Sequence, residues 1–247
     1  LQLIEGRCFP YNTVRLCGSE RSLGHRIEFK GIELTIEKAS AELFGEVDLV
    51  FIAAGSEVSH VLAPLAVERG AIVIDKSSAF RMDSNVPLVI PEVNSDDLNL
   101  HQGIVSSPNC STTPLAMALK ALKNLTSISR VVVDTYQSVS GSGTSAIHEL
   151  RTQSKEVLSG TNITPREYPY QIAFNALPHI DDFHDSGYTG EELKMVTETR
   201  KILHQPDLPI SATCVRIPVF VGHSEAVHVE FEHPVSVEDA KHVLSKS

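Results

Sequence analysis

Long apolar runs are missing from this 247-residue chain. No stretch approaches the roughly 20 residues that a membrane-spanning helix needs, and no signal-peptide pattern opens the sequence. Basic residues are in deficit, with 21 Lys and Arg against 31 Asp and Glu. The resulting net charge of −10, with no basic stripe to offset it, argues against a nucleic-acid partner. Cysteine is sparse. The four cysteines, at 8, 17, 110 and 214, show neither metal-ligand spacing nor the density of a disulfide framework. Internal repeats and low-complexity runs are absent too. What remains is the composition of an ordinary soluble globular protein, 42% hydrophobic and 21% charged. The chain is long enough for one large domain or two smaller ones, each with a core. A reducing, cytoplasmic setting with no metal is the expectation.

The ends read as interrupted elements. Leu1 opens the chain in place of Met, and the first residues look like the tail of a helix closed by Gly6. Near the other end Ser236, with Asp239 three residues on, caps a new helix whose apolar face is Val237, Ala240, Val243 and Leu244. The expectation is a fragment lacking an N-terminal strand and a C-terminal segment.

Between the ends, Asp48 to Ala54 forms a continuous apolar strand closed by Gly55. Ser59 to Glu68 reads as a helix stopped by Gly70, and Ala71 to Asp75 as a second apolar strand. Together they make a βαβ unit of a parallel sheet covered on both faces. Ligands of such sheets sit beyond the carboxyl ends of the strands. Those ends carry Gly55-Ser56 and Ser77-Ser78, either a ligand approach or ordinary turns.

Later the order becomes less regular. Arg130 to Val139 is a β-branched strand that runs into Ser140-Gly141-Ser142-Gly143. Helices follow over 145–158 and 191–204. Residues 213–221 and 225–232 alternate like half-buried antiparallel strands about Gly222-His223-Ser224. That mixture predicts a separate α+β domain, with 160–188 as an excursion serving as interface or cover.

Cys110 is the most informative residue. It lies in Ser-Ser-Pro-Asn-Cys-Ser-Thr-Thr-Pro, just before an apolar helical pattern. The free N–H groups of a helix start favour thiolate, the nucleophilic form. A buried structural cysteine is the other reading. Arg216 and His223 likewise read equally as an ion-pairing arginine and a turn histidine.

Taken together, five segments resemble bacterial-type aspartate-semialdehyde dehydrogenase. They are Pro-Asn-Cys-Ser-Thr at 108–112, Tyr-Gln-Ser-Val-Ser-Gly-Ser-Gly at 136–143, Glu-Glu-Leu-Lys at 191–194, Arg216 with Gly-His-Ser-Glu at 222–225, and Ser-Ser-Ala-Phe-Arg-Met at 77–82. The match spans essentially the whole chain in the family's order. The resemblance implies an α/β fold, with an incomplete Rossmann-like NADP-binding domain over 1–108. An α+β catalytic and dimerisation domain with a mixed sheet would occupy 109–247.

By resemblance, Cys110 is the nucleophile, His223 the acid/base and Gln137 the orienting amide. Arg216 clamps the substrate α-carboxylate and Glu191 holds its ammonium, while Arg81, Asn109 and Lys194 bind phosphate. The cofactor set is Ser19, Arg21 and Ser22 toward the NADP 2′-phosphate, with Gly55, Ser56, Ser77, Ser140 and Gly141. The reaction so implied is reductive dephosphorylation of L-aspartyl-4-phosphate through a Cys110 thioester, in lysine (diaminopimelate), threonine and methionine biosynthesis. A homodimer or homotetramer is implied as well.

The sequence departs from the family in lacking any G-x-x-G-x-x-G turn ahead of Leu1, which carries the cofactor pyrophosphate on a helix start. Lys76 and Ala146 also stand where asparagine and glycine are usual. The 1–247 polypeptide by itself is therefore expected to be unstable or inactive. N-acetyl-γ-glutamyl-phosphate reductase shares the cysteine–histidine chemistry, but Glu191, Lys194 and Gly-His-Ser-Glu favour the aspartyl enzyme. Glyceraldehyde-3-phosphate dehydrogenase shares only the Cys-Thr-rich helix start. A non-catalytic binding relative would have lost the cysteine or the histidine, and both are present.

Overall fold

The structure, a computed structural model, describes residues 1–246. Its first half holds α1 (Gln2–Gly6), β1 (Leu16–Cys17), β2 (Arg26–Phe29), β3 (Ile32–Glu37) and α2 (Ala41–Phe44). Next come β4 (Leu49–Ile52), α3 (Ser56–Glu68), β5 (Ile72–Asp75), α4 (Pro91–Asn94) and β6 (Ile104–Ser106). The second half holds α5 (Thr112–Lys123), β7 (Ile128–Gln137), α6 (Thr144–Ser159) and α7 (Gly190–Ile202). It closes with β8 (Ile210–Arg216), β9 (Ser224–Phe231) and α8 (Val237–Leu244).

The expected βαβ unit is formed. β4, α3 and β5 build it, and β4-β5-β6 make a parallel sheet. Uniformly apolar strands demand cover, and α3 supplies it with Ala63 and Ala66, both fully buried against Ile52 and Val73. The small side chains let helix and sheet approach closely. A second sheet, β1-β3-β2, pairs β1 parallel and β2 antiparallel to β3.

The second half is a mixed sheet in the order β8-β7-β9. Here the expected antiparallel pair of strands is corrected. β8 ends at Arg216 and lies parallel to β7, while β9 lies antiparallel on its other side. Alternation of side chains is the same in both kinds of ladder, so the pattern could not separate them. Pro218 cannot donate to a ladder, and residues 217–220 instead run beside the end of β7. There Ile217, Val139 and Ser140 make backbone bonds to Gln137, Val219 and Phe220. β7 likewise stops at Gln137, and Val139–Ser142 form a 3-10 turn rather than more strand.

The parallel register sets Gln137 level with Arg216. Between β7 and β8 the chain makes a long excursion, which α6 fastens. Glu149 accepts from the backbone N–H groups of Arg166 and Glu167, and Gln153 Oε1 from those of Ile172 and Ala173. The largest core cluster joins α5, α7 and this sheet through Leu115, Leu119, Val131, Val133, Met195 and Ile202. Each such side chain contributes about 1.5–3 kcal/mol by burial.

Candidate active site

A cavity of about 980 Å³ opens between the carboxyl ends of the parallel strands and the mixed sheet. Its lining includes Arg81, Asn109, Cys110, Gln137, Gly141, Glu191, Lys194 and Arg216. His223 reaches Cys110 from the turn before β9, with Nε2 3.4 Å from Sγ. The structure thus brings together every substrate-side residue named from the sequence.

The turn after β6 fixes the cysteine. Asn109 is 7% exposed, and its Oδ1 accepts from the Ser111 N–H at 2.8 Å. Its carbonyl takes the N–H and hydroxyl of Thr113. α5 begins at Thr112, so Cys110 projects from the loop just ahead of it. Cys110 is exposed, while Cys214 is buried against Met195.

Thiolate is not the resting form that this turn favours. Burial of the sulfur, and next the Glu191 carboxylate, push the Cys110 thiol above its ordinary value. They outweigh the hydrogen bonds from Ser111 and the turn's backbone N–H groups. The expectation of an activated thiolate is corrected accordingly. His223 is pushed down, first by burial and then by the Arg216 cation. Its Nδ1 accepts from the Ser138 N–H at 3.0 Å, which leaves the neutral ring's proton on Nε2. Ser138 Oγ stands 3.2 Å from the same nitrogen.

Glu191, 5% exposed at the start of α7, is the hub of the polar network. Its carboxylate accepts from Asn109 Nδ2 and Gln137 Nε2, each at 3.0 Å. Gln137 Oε1 accepts from the Thr135 hydroxyl, which fixes the amide orientation. Lys194 pairs with Asp181 and lies 3.6 Å from Glu191. Arg216 donates from Nη1 to the Ser138 carbonyl at 2.7 Å, while its Nε has no hydrogen-bond partner among the described residues. A Cβ on Gly141 would meet Arg216 Nη1 at 3.1 Å and His223 Nε2 at 3.5 Å.

Arg81 is more committed than expected. Its guanidinium donates to Glu198 Oε1 at 2.9 Å and to the carbonyls of Ser107 and Lys76 at 3.0 Å. Three of five N–H groups are used, leaving two without a partner among the described residues on a side chain that lines the cavity. Glu198 was missed in the sequence because a glutamate inside a charged helix resembles a solvated face. Its spacing from Glu191 and Lys194 is the signal that could have found it.

Most of the remaining residues lie in turns and at element ends of the first half. Arg21 is exposed and makes no hydrogen bond or ion pair among the described residues. Ser22 donates to the Ser19 carbonyl. A side chain at Gly18 would press on Ser22 Oγ and, at 2.8 Å, on Ile36. This tight turn at the end of β1 presents an idle guanidinium beside two hydroxyl side chains, a donor set suited to a phosphate. Gly55 caps α3, and Ser56 Oγ lies 2.9 Å from Ser78 Oγ across the strand ends. Ser77 points inward and donates to Asp75 at 2.8 Å, so Ser78 is the hydroxyl presented at the cavity. Ser140 Oγ lies 2.9 Å from Ser138 Oγ, on the His223 side. No cluster of metal-binding side chains occurs among the described residues.

A dinucleotide-type α/β half joined to a mixed-sheet half, with a Cys–His pair at the junction, is the architecture of a semialdehyde dehydrogenase. Residues 1–101 match the family "Semialdehyde dehydrogenase, NAD binding domain", and 119–247 match "Semialdehyde dehydrogenase, dimerisation domain". Aspartate-semialdehyde dehydrogenase of Bacillus subtilis (strain 168) is 49% identical over 255 residues, covering 100% of this chain and 74% of its own. That of Aquifex aeolicus (strain VF5) is 47% identical over 251 residues, with coverages of 100% and 74%. The crystal structure of aspartate semialdehyde dehydrogenase II from Vibrio cholerae superposes with a TM-score of 0.96 at 41% identity, again covering 100% and 74%. The chain belongs to the aspartate-semialdehyde dehydrogenase family.

Proposed function

We propose that this chain carries the catalysis of NADPH-dependent reduction of L-aspartyl-4-phosphate to L-aspartate 4-semialdehyde, in lysine, threonine and methionine biosynthesis. The observation that carries the proposal is Cys110 Sγ 3.4 Å from His223 Nε2, on the wall of a cavity shared by Arg216, Glu191 and Arg81. A Vibrio cholerae relative at 41% identity has been crystallised "complexed with ASA".

Arg216 would clamp the substrate α-carboxylate with its fork, and Glu191 would take the ammonium. Arg81, Lys194 and the Asn109 amide would face the phosphoryl group. Sulfur attacks the acyl carbon, the S–C bond forms, and the C–O bond breaks with its electron pair leaving on phosphate. The thiol proton passes through His223 Nε2 to the departing phosphate. This transfer requires the ring to carry its proton on Nδ1, facing the Ser138 hydroxyl, rather than on Nε2 as at rest. NADPH, when bound, supplies the hydride that reduces the thioester. His223, recharged by a proton from solvent, then protonates the carbonyl oxygen, takes that proton back as the aldehyde forms, and returns it to the departing sulfur to restore the thiol. Covalent attachment splits one hard step into two and keeps the acyl group from water.

Arg21 with Ser19 and Ser22 would hold the cofactor 2′-phosphate, as an arginine does in NADP-binding Rossmann-like folds. Gly55, Ser56, Ser140 and Gly141 complete the cofactor side, with Ser78 in place of the inward-pointing Ser77. The domain boundary falls between residues 108 and 109. Assembly as a homodimer or homotetramer through 109–247 fits the exposed apolar side chains of Tyr136, Val219, Phe220 and Val221. A cytoplasmic location fits a chain in which no described helix is long and apolar enough to cross a membrane. The test is phosphate- and NADP-dependent oxidation of aspartate semialdehyde by the full-length protein. Cys110→Ala should cut turnover by about 10⁴-fold or more, and unchanged turnover in that variant overturns the mechanism.

A further inference from the structure

One face of α7 carries charges at 191, 194, 198 and 201, a spacing of three, four and three residues that aligns them along the helix. Alternating Glu and Lys would ordinarily mark a solvated surface. Here the stripe faces the junction of the two halves. Lys201 Nζ donates to the carbonyls of Arg81 and Asp83 at 2.7 Å and of Val86 at 2.8 Å. Glu198 is 1% exposed. A buried carboxylate is costly unless its oxygens find donors, and each oxygen of Glu198 has a different one. Oε1 accepts from Arg81 Nη1 at 2.9 Å and Oε2 from the Asn109 backbone N–H at 2.7 Å.

Those partners belong to different parts of the site. Arg81 follows β5 and is stapled to the carbonyls of Lys76 and Ser107, just past the carboxyl ends of β5 and β6. Asn109 immediately precedes Cys110. One rigid group therefore spans the cation that would face the phosphate and the turn that carries the sulfur. No other residue among those described bonds both.

We propose that Glu198 is a positioning residue that fixes the separation between the Arg81 guanidinium and the Cys110 turn. The inference rests on the phosphate role of Arg81 and the nucleophile role of Cys110 given above. Glu198 touches neither substrate nor sulfur. It acts through the Asn109 N–H and through Arg81.

A simple structural glue would behave differently. Losing glue lowers the folded fraction and scales all kinetic constants together. Losing alignment acts on phosphate and on sulfur in protein that remains folded. The experiment uses full-length Glu198→Gln and Glu198→Asp in the oxidative direction, with inorganic phosphate and aspartate semialdehyde varied separately. Gln keeps the shape but turns one acceptor into a donor, while Asp keeps the charge but is too short to span both partners. KM for phosphate should rise about tenfold or more, with KM for semialdehyde held within about threefold. Iodoacetamide labelling of Cys110 should slow several-fold while thermal unfolding stays cooperative. An unchanged phosphate KM in folded variants, or losses that track only the folded fraction, overturns the inference. If Gln fails to fold, Asp decides on the same criteria. Unchanged turnover in Cys110→Ala would instead show that the underlying reading has failed, which separates the two.

Discussion

Ser138 offers opposite partners to one nitrogen of His223. Its backbone N–H donates to Nδ1 at 3.0 Å, and its hydroxyl stands 3.2 Å from the same atom. The amide suits a ring whose proton sits on Nε2, and the hydroxyl can accept when Nδ1 carries one. Ser138 is itself held by Arg216 through its carbonyl. The groups that face the ring are thus Cys110, Arg216 and, at longer range, Glu191.

The sign of the pH response follows. Burial and the Arg216 cation disfavour imidazolium, so His223 should titrate below the ordinary histidine value. Cys110 should titrate above the ordinary thiol value. Alkylation of Cys110 in the substrate-free full-length protein should therefore keep climbing through the alkaline range. A rate that levels off near neutrality would reveal a preformed thiolate–imidazolium pair and contradict this. Removing the cation with Arg216→Leu should move the His223 titration up, as read by NMR.

Gly141 tests crowding at the site. Gly141→Ala places a methyl 3.1 Å from Arg216 Nη1 and 3.5 Å from His223 Nε2. A displacement of a few tenths of an ångström there should lower kcat/KM by about tenfold. The melting temperature should barely change. Wild-type turnover would show that both side chains can give way without loss.

The idle guanidinium of Arg21 should decide between cofactors. Arg21→Ala is expected to weaken NADP by about 10- to 100-fold, in line with one charge-assisted pair of 1.5–3 kcal/mol. NAD should be used about as well as before. Equal losses for both cofactors in steady-state assays would place Arg21 elsewhere than at the 2′-phosphate.

The excursion after α6 should depend on two side chains. Glu149 holds the backbone N–H groups of Arg166 and Glu167, at 3.1 and 2.6 Å. Glu149→Ala leaves both unpaired and should cost about 2 kcal/mol. Amide exchange over 161–175 should accelerate more than exchange in β7. Uniform acceleration across the chain would mean that the clamp serves the global fold alone.

Much of this was legible in the sequence, and the failures have definite causes. The βαβ unit was readable from its apolar strands and small helix residues, but the expected cover on both faces is corrected, since the face opposite α3 leaves Phe51 and Ile72 exposed. Cys110, Gln137, Arg216 and His223 could be singled out because they lie in three short motifs, Arg216 and His223 sharing one, and the structure brings them to one cavity edge. Strand partners were not readable, since Gln137 and Arg216 are set level by a ladder closed across 78 intervening residues. Glu198 stayed hidden for the same reason, because its partners lie 117 and 89 residues away. Thiol chemistry misled in another way. The helix start beside Cys110 is written locally, but the carboxylate that opposes it arrives from Glu191 on α7.

That opposition has a consequence for the lifetime of the protein. Oxidation to sulfenic acid and adventitious alkylation both begin from thiolate. A cysteine open to solvent but held as a thiol by its surroundings is spared most of that damage while it waits. The surroundings that push the Cys110 thiol up, the Glu191 carboxylate among them, would lessen wear at rest, and on the role proposed for Glu191 a substrate ammonium would ease that hold.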